Sequence, residues 1–310
     1  NQSLQWTGYR PPLNFVLCVR KAPYMACGKM KEKEHMKAKI EFEQQLKEFV
    51  ETFQSHISSP DGQWTVKGFI DIFKKVYTIS GDTKILSKIL EIHLFPKILE
   101  FASTYGYKVV LADHQNYYPD ISFVKEGNEE LKFAVDFKTT YRNDKKPHLC
   151  NGFTLGSHGE YFSNRSSTKN IQFPYSEYAG HFCLGIIYSR VDGATIDETR
   201  SYDISQLKSI SSVVKDFQFF VVEKWKIASD KGGSGNTANI GSINHIDDII
   251  NGRGMFSRLG EKWFDDYWIN FRKIKTTTNS GDTSIISSLK EFVEYRKGDV
   301  KLIVPKRTKE

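Results

Sequence analysis

Tyr117-Tyr118-Pro119-Asp120-Ile121-Ser122-Phe123-Val124 is followed, after a polar turn, by Leu131-Lys132-Phe133-Ala134-Val135-Asp136-Phe137-Lys138-Thr139-Thr140. Asp120 follows a proline at the head of the first apolar run, and Asp136 and Lys138 sit two residues apart inside the second. Strand side chains alternate between faces, so Asp136 and Lys138 share one. Aspartate and lysine are rarely buried without partners, which makes this pair a candidate site. Two carboxylates able to hold a hard divalent cation, with an ammonium beside them, suit metal-assisted phosphodiester hydrolysis. The competing reading makes Asp136 and Lys138 the solvated face of an amphipathic strand and Asp120 a turn residue. Asp-x-Lys is short and common, and spacing alone leaves both readings open.

Upstream, Tyr107 to Leu111 is a short strand, and His114-Gln115-Asn116 a polar loop. Ser80-Gly81-Asp82-Thr83 supplies a helix start with Asp82 or Thr83 as N-cap. The segment Lys84 to Leu99 carries a broad apolar face, and Pro96 is expected to end or kink it. Glu91 lies in this segment, where a solvated helix residue is the plain reading. Lys31 to Phe53 reads as an amphipathic helix, with Met36, Ile40, Leu46, Phe49, Val50 and Phe53 on its apolar face. Ser58 to Gly62 is a turn, Gln63 to Val66 begins a strand, and Phe69 to Ile79 is ambiguous. Residues 1–30, which open on Asn rather than Met, are read as an N-terminal extension without fold assignment.

Downstream, residues 141–168 read as a polar loop with Lys169 following, either solvated or phosphate-contacting. Phe182–Ser189 and Phe217–Val222 are buried strands, with a helix expected within Ile204–Lys215. Strands alternating with helical patterns argue for an α/β (α+β) fold with a central mixed sheet. Lys231-Gly232-Gly233-Ser234-Gly235-Asn236-Thr237 frees the backbone for close approach to a ligand. Gly233-x-Gly235-x-x-Ala238 matches a dinucleotide fingerprint in form only, because Asn239-Ile240-Gly241-Ser242 makes a poor helix. A flexible surface loop and a loop presenting groups to base edges are the other readings. The aromatic helix Glu261–Arg272 reads as core or subunit packing rather than base stacking. Residues 276–310 form a C-terminal extension, with a last helix near Ser288–Tyr295 and a basic, frayed end from Lys301.

The chain has 310 residues, 39% hydrophobic and 26% charged, which fits a globular protein rather than a disordered one. A formal net charge of +7 permits a polyanionic partner. Cys18, Cys27, Cys150 and Cys183 lack Cys-x-x-Cys spacing, which argues against a zinc framework or disulfide scaffold and for a reducing, cytoplasmic setting. No stretch approaches the roughly 20 apolar residues of a membrane span.

Taken as an ordered set, Gly81-Asp82-Thr83-Lys84, Gln115 to Asp120, Val135 to Tyr141, Phe153-Thr154-Leu155-Gly156, Thr168-Lys169-Asn170-Ile171 and Gly233 to Thr237 resemble the type II restriction endonucleases of the PD-(D/E)xK superfamily. The likeness covers about residues 80–270 and places the cutting domain within 31–275. It implies the restriction-endonuclease-like fold, a central mixed β-sheet flanked by helices. It also implies that Asp120, Asp136 and the Phe137 carbonyl hold Mg²⁺, that Lys138 orients or deprotonates the attacking water, and that Glu91 is auxiliary. Gly233, Ser234, Gly235, Asn236 and Thr237 match a major-groove recognition loop, and Gln115 and Asn116 a minor-groove loop, where His114 departs from the expected glutamine. Thr83, Lys84, Thr140 and Lys169 match phosphate-proximal positions. The implied substrate is double-stranded DNA at GATATC, cut bluntly by a homodimer that leaves 5′-phosphates. A non-restriction nuclease of the same fold and a non-catalytic DNA-binding module are the alternatives. The likeness does not extend to residues 1–70, to the longer 142–167 segment or beyond Arg272.

Overall fold

The two apolar runs become neighbouring strands of one sheet. The computed structural model describes residues 22–114, 116–191, 199–233, 238–277 and 283–307, with side chains from residue 32. In chain order the first elements are α1 (Ala22–Val50), α2 (Phe53–Ile57), β1 (Gly68–Ile70), β2 (Lys75–Thr78), α3 (Thr83–Tyr105), β3 (Tyr107–Leu111), β4 (Ile121–Lys125), β5 (Asn128–Tyr141), β6 (Thr154–Ser157) and α4 (Glu160–Ser163). There follow β7 (Tyr178–Arg190), β8 (Ser201–Asp203), β9 (Val214–Glu223), β10 (Ala228–Gly232), β11 (Asn239–Ser242), α5 (Ile246–Ile250), α6 (Glu261–Ile269), β12 (Lys275–Thr277), β13 (Thr283–Ile285) and α7 (Leu289–Tyr295).

The central sheet has five strands in the order β3-β4-β5-β7-β9. Strands β3, β4 and β5 are antiparallel neighbours, β5 runs parallel to β7, and β7 antiparallel to β9. This is the mixed sheet that the alternating pattern predicts. Phe133, Val135 and Phe137 of β5 enter one core with Phe42 and Leu46 of α1 and Leu90 and Leu94 of α3. Ala134 enters a second core, with Leu155, Phe162, Tyr175 and Trp268. Asp136 and Lys138 follow Ala134 at steps of two, so alternation turns them to that second face.

Several local expectations are corrected by packing. Helix α3 does not end at Pro96 but runs to Gly106, which closes it in the left-handed conformation at φ +68°. Leu86, Leu90, Leu94, Ile98 and Phe101 keep one buried stripe through the proline, and that burial outweighs the roughly 3 kcal/mol a helical proline costs. In α1, Met36 and Ile40 are exposed, and Lys39 is buried in their place. Its ammonium reaches Glu223 at 2.5 Å and Glu261 at 3.2 Å. Hydrophobic periodicity cannot show that an inward lysine has carboxylates waiting across the fold.

The 141–168 segment, expected as loop, holds β6 and α4; Asn239–Ser242 is strand β11, paired with β6. The helix expected within 204–215 is a 3-10 turn at Ile204–Ser209, and Gln63–Val66 makes only bridge contacts. Of the expected C-terminal extension, α7 buries Leu289, Phe292 and Val293 in the second core. Of the basic end, expected to fray, the described part is held at Lys306, whose Nζ is 2.8 Å from Asp230; residues 308–310 lie outside the described residues. Among the described residues no helix is long and apolar enough to cross a membrane.

Candidate active site

Register brings the acids together. Ile121 of β4 pairs with Val135 of β5, so Asp120, one residue before β4, lies beside Asp136. The Asp120 amide donates to Asp136 Oδ1 at 3.3 Å, and the Phe137 amide donates to Asp120 Oδ2 at 2.8 Å. Lys138 Nζ donates to Asp136 Oδ2 at 2.7 Å. Asp136 is therefore the hub, with Asp120 on one side and Lys138 on the other. Asp136 is 5% exposed, which excludes the solvated-strand reading of its side chain. Gly185 of β7, the register partner of Lys138, leaves the space that the Phe220 ring fills.

The charges are mutually strained. Loss of water around Asp120, and then the neighbouring Asp136 carboxylate, raise its pKa well above the usual carboxylate range. Asp120 still reaches solvent, so the like-charge contact is the part a bound cation would relieve. Burial disfavours a charged Lys138, but Asp136 and Asp120 prevail and hold its pKa above the usual lysine range. It stands in this site as an ammonium donor. The Cys183 thiol, across from Asp136 in the parallel register, is pushed up to about 12 by burial and stays protonated.

Grooves open on both sides of the acids. One, about 460 Å³, is lined by Lys88, Glu91, His114, Tyr117, Asp120 and Phe137. Helix α3 thus delivers Glu91 to the groove of Asp120, its carboxylate 2.8 Å from Lys88. The other, about 300 Å³, is lined by Asn116, Asp136, Glu160, Asn170 and Asn239, among others. Thr83 and Lys84 are exposed at the start of α3, where Asp82 caps the helix by accepting from the Lys84 and Ile85 amides. Lys169 is exposed. Thr140 is 4% exposed, and its hydroxyl donates to the Asn151 carbonyl at 2.6 Å. That bond ties β5 to the segment that follows it. Gln115, Ser234, Gly235, Asn236 and Thr237 lie outside the described residues. Gly233 closes the base of their loop, its amide donating to the Asn239 carbonyl at 2.8 Å. With β11 a strand, the helix that a dinucleotide fingerprint requires is not there.

Sequence reasoning missed the charged layer behind Asp136. Lys224, 1% exposed, lies 4.5 Å from the Tyr118 ring and 4.8 Å from that of Tyr175, with no hydrogen-bond partner for its Nζ among the described residues. Burial lowers its pKa to about 8. Aromatic faces compensate a buried ammonium only in part. Lys224→Met keeps the volume and removes the charge, so it is expected to stabilise the protein by about 1–4 kcal/mol. A urea midpoint that falls instead would show that the ammonium is fully compensated.

A second cluster, His245, Asp247 and Asp248, brings possible ligand atoms within 4.8 Å of one another. Two guanidinium groups already serve it. Arg253 pairs with both aspartates, and Arg307 Nη2 lies 2.9 Å from Asp248 and 3.5 Å from Asp247. Its carboxylates are spent on ion pairs, whereas Asp136 has the single Lys138 ion pair and Asp120 accepts only from the Phe137 amide among the bonds described.

A mixed sheet carrying Pro-Asp and Asp-x-Lys on adjacent strands, acids in contact, defines the class as the restriction-endonuclease-like nucleases. The chain matches the family described as Restriction endonuclease EcoRV over residues 60–297. It is 37% identical over 218 residues to the type II restriction enzyme EcoRV of Escherichia coli, covering 70% of this chain and 86% of that protein. The chain belongs to the EcoRV family of type II restriction endonucleases, which are site-specific deoxyribonucleases. The match begins before residue 80 and continues beyond Arg272, further at both ends than the motifs alone reach.

Proposed function

We propose that this chain acts in the cytoplasm as a two-fold homodimer that cuts both strands of duplex DNA at GATATC, using Mg²⁺ and leaving blunt, 5′-phosphorylated ends. The observation that carries the reading is the hub at Asp136, in contact with both the Asp120 amide and the Lys138 ammonium. Hard oxygen donors suit magnesium, and the raised Asp120 pKa marks a site that gains from a cation. Magnesium held by Asp120, Asp136 and the Phe137 carbonyl supplies Lewis-acid polarisation of the phosphate and a water of lowered pKa. Lys138, already an ammonium, orients the attacking water and offsets charge on the phosphoryl oxygens. Glu91 keeps an auxiliary place across the Asp120 groove. Thr83, Lys84 and Lys169 are assigned to backbone phosphates, Gln115 and Asn116 to the minor groove, and Gly233–Thr237 to base edges of the major groove.

A palindrome read by one kind of chain calls for two-fold symmetry. Support comes from β1, β2 and their turn, which expose Phe69 (55%), Ile70 (58%), Ile72 (88%) and Phe73 (78%) together, an apolar face suited to a second copy. With Mg²⁺, the purified protein is expected to cut a plasmid at GATATC into blunt fragments, and not when that site is methylated. A ladder of cuts without sequence preference points to a non-restriction nuclease. Binding without cutting across several divalent metals points to a non-catalytic module.

A further inference from the structure

Strand β10 leads into the glycine loop and β11 leads out of it, paired at Gly232↔Ile240. In the three-stranded order β10-β11-β6, β11 is central, and β10 is an edge paired on one side only. Its midpoint is Asp230, held from two directions. The Asp230 carbonyl accepts from the Tyr267 hydroxyl at 2.7 Å, and its carboxylate pairs with Lys306 at 2.8 Å. Lys306 comes from a segment beyond residue 297, where the family match stops. That segment is fastened twice more: the Val304 amide donates to the Met255 carbonyl at 3.2 Å, and Arg307 pairs with Asp248 at 2.9 Å. Val304, Pro305 and Lys306 line a cavity of about 690 Å³ that Lys231, Gly232 and Gly233 also line.

We infer that the C-terminal tail is a strap that sets the stem of the recognition loop, with Lys306 a positioning residue for sequence discrimination through Asp230. The inference rests on the reading of Gly233–Thr237 as the DNA-reading loop. An edge strand paired with β11 alone, and otherwise held at its midpoint by the Tyr267 hydroxyl, leaves the loop's stem some freedom to shift. An ion pair to its midpoint removes that freedom without touching DNA. Lys306 is 46% exposed but the Asp230 carboxylate only 12%, so a charge-keeping Lys306→Arg is needed beside the charge-removing variant.

The test measures cleavage at the mapped recognition site and at sites differing from it by one base pair. It uses the full-length protein, Lys306→Met, Lys306→Arg and Asn236→Ala. Lys306→Met is expected to lower the ratio of cognate to altered-site cleavage roughly tenfold, a modest coupling between distant groups, with unchanged salt dependence and a lowered melting temperature from the unpaired Asp230. Lys306→Arg is expected to restore the ratio. An unchanged ratio in Lys306→Met, with a lowered one in Asn236→Ala, overturns the strap alone. An unchanged ratio in Asn236→Ala overturns the loop reading and the strap with it. Equal weakening on all DNA with a shallower salt slope identifies Lys306 as a phosphate contact and also overturns the strap.

Discussion

Asp136→Ala and Lys138→Ala are each expected to remove DNA cleavage while leaving a folded protein. Asp136 accepts from the Asp120 amide and from Lys138, so its truncation takes away the proposed cation ligand and strands an ammonium that is otherwise largely enclosed. Lys138→Ala leaves both acids but removes the charge that offsets them. Losing one preorganised electrostatic partner costs about 10²–10³-fold in rate, and the loss for Asp136→Ala is expected to be larger. Single-turnover cleavage at saturating Mg²⁺, beside a melting curve, measures both; full activity in either variant overturns the role given to that residue. The pH dependence of stability has a definite sign. The Asp120 pKa is raised in the folded chain. Between the usual carboxylate range and that raised value the unfolded chain has released a proton the native protein keeps, so stability falls as pH rises through this window. Asp120→Asn is expected to flatten that slope, and a divalent cation to offset it most at its upper end.

Ile72→Asp combined with Phe73→Asp is expected to turn a dimer into monomers and, with that, to end double-strand cutting. Each side chain is largely exposed in the single chain. A purely monomeric protein would register such surface changes as no more than about 0.5 kcal/mol. In a dimer that buries them, each contributes about 1.5–3 kcal/mol, or roughly 10- to 150-fold in the dissociation constant, before the cost of burying a carboxylate is added. Sedimentation of the parent and the double variant decides the matter. A parent that is already monomeric, or a variant that still sediments as a dimer, removes this face from the interface.

The division between what the residues declare and what the fold adds is visible at individual positions. Two-residue periodicity placed Asp136 and Lys138 on one strand face, and they meet at 2.7 Å. The period of an aromatic helix placed Phe264, Tyr267 and Trp268 in the core. Local rules failed where distant partners decide. Lys39 goes inside α1 because Glu223 and Glu261 receive it, and Pro96 stays helical because Leu94 and Ile98 are buried on either side. Thr140 is buried with its hydroxyl on the Asn151 carbonyl, a partner that no local period names. Lys224 gave no signal at all, since a lysine after a strand reads as solvated until the aromatic rings around it are known.

By itself the sequence determined which groups share the sheet, two carboxylates and an ammonium on successive strands, because side-chain alternation and strand succession are local properties of the chain. Tertiary structure decided which acids touch, that Glu91 joins the Asp120 groove from α3, and that the tail reaches the stem of the glycine loop. Those depend on strand register and on packing between segments far apart in the chain, and no local period encodes either.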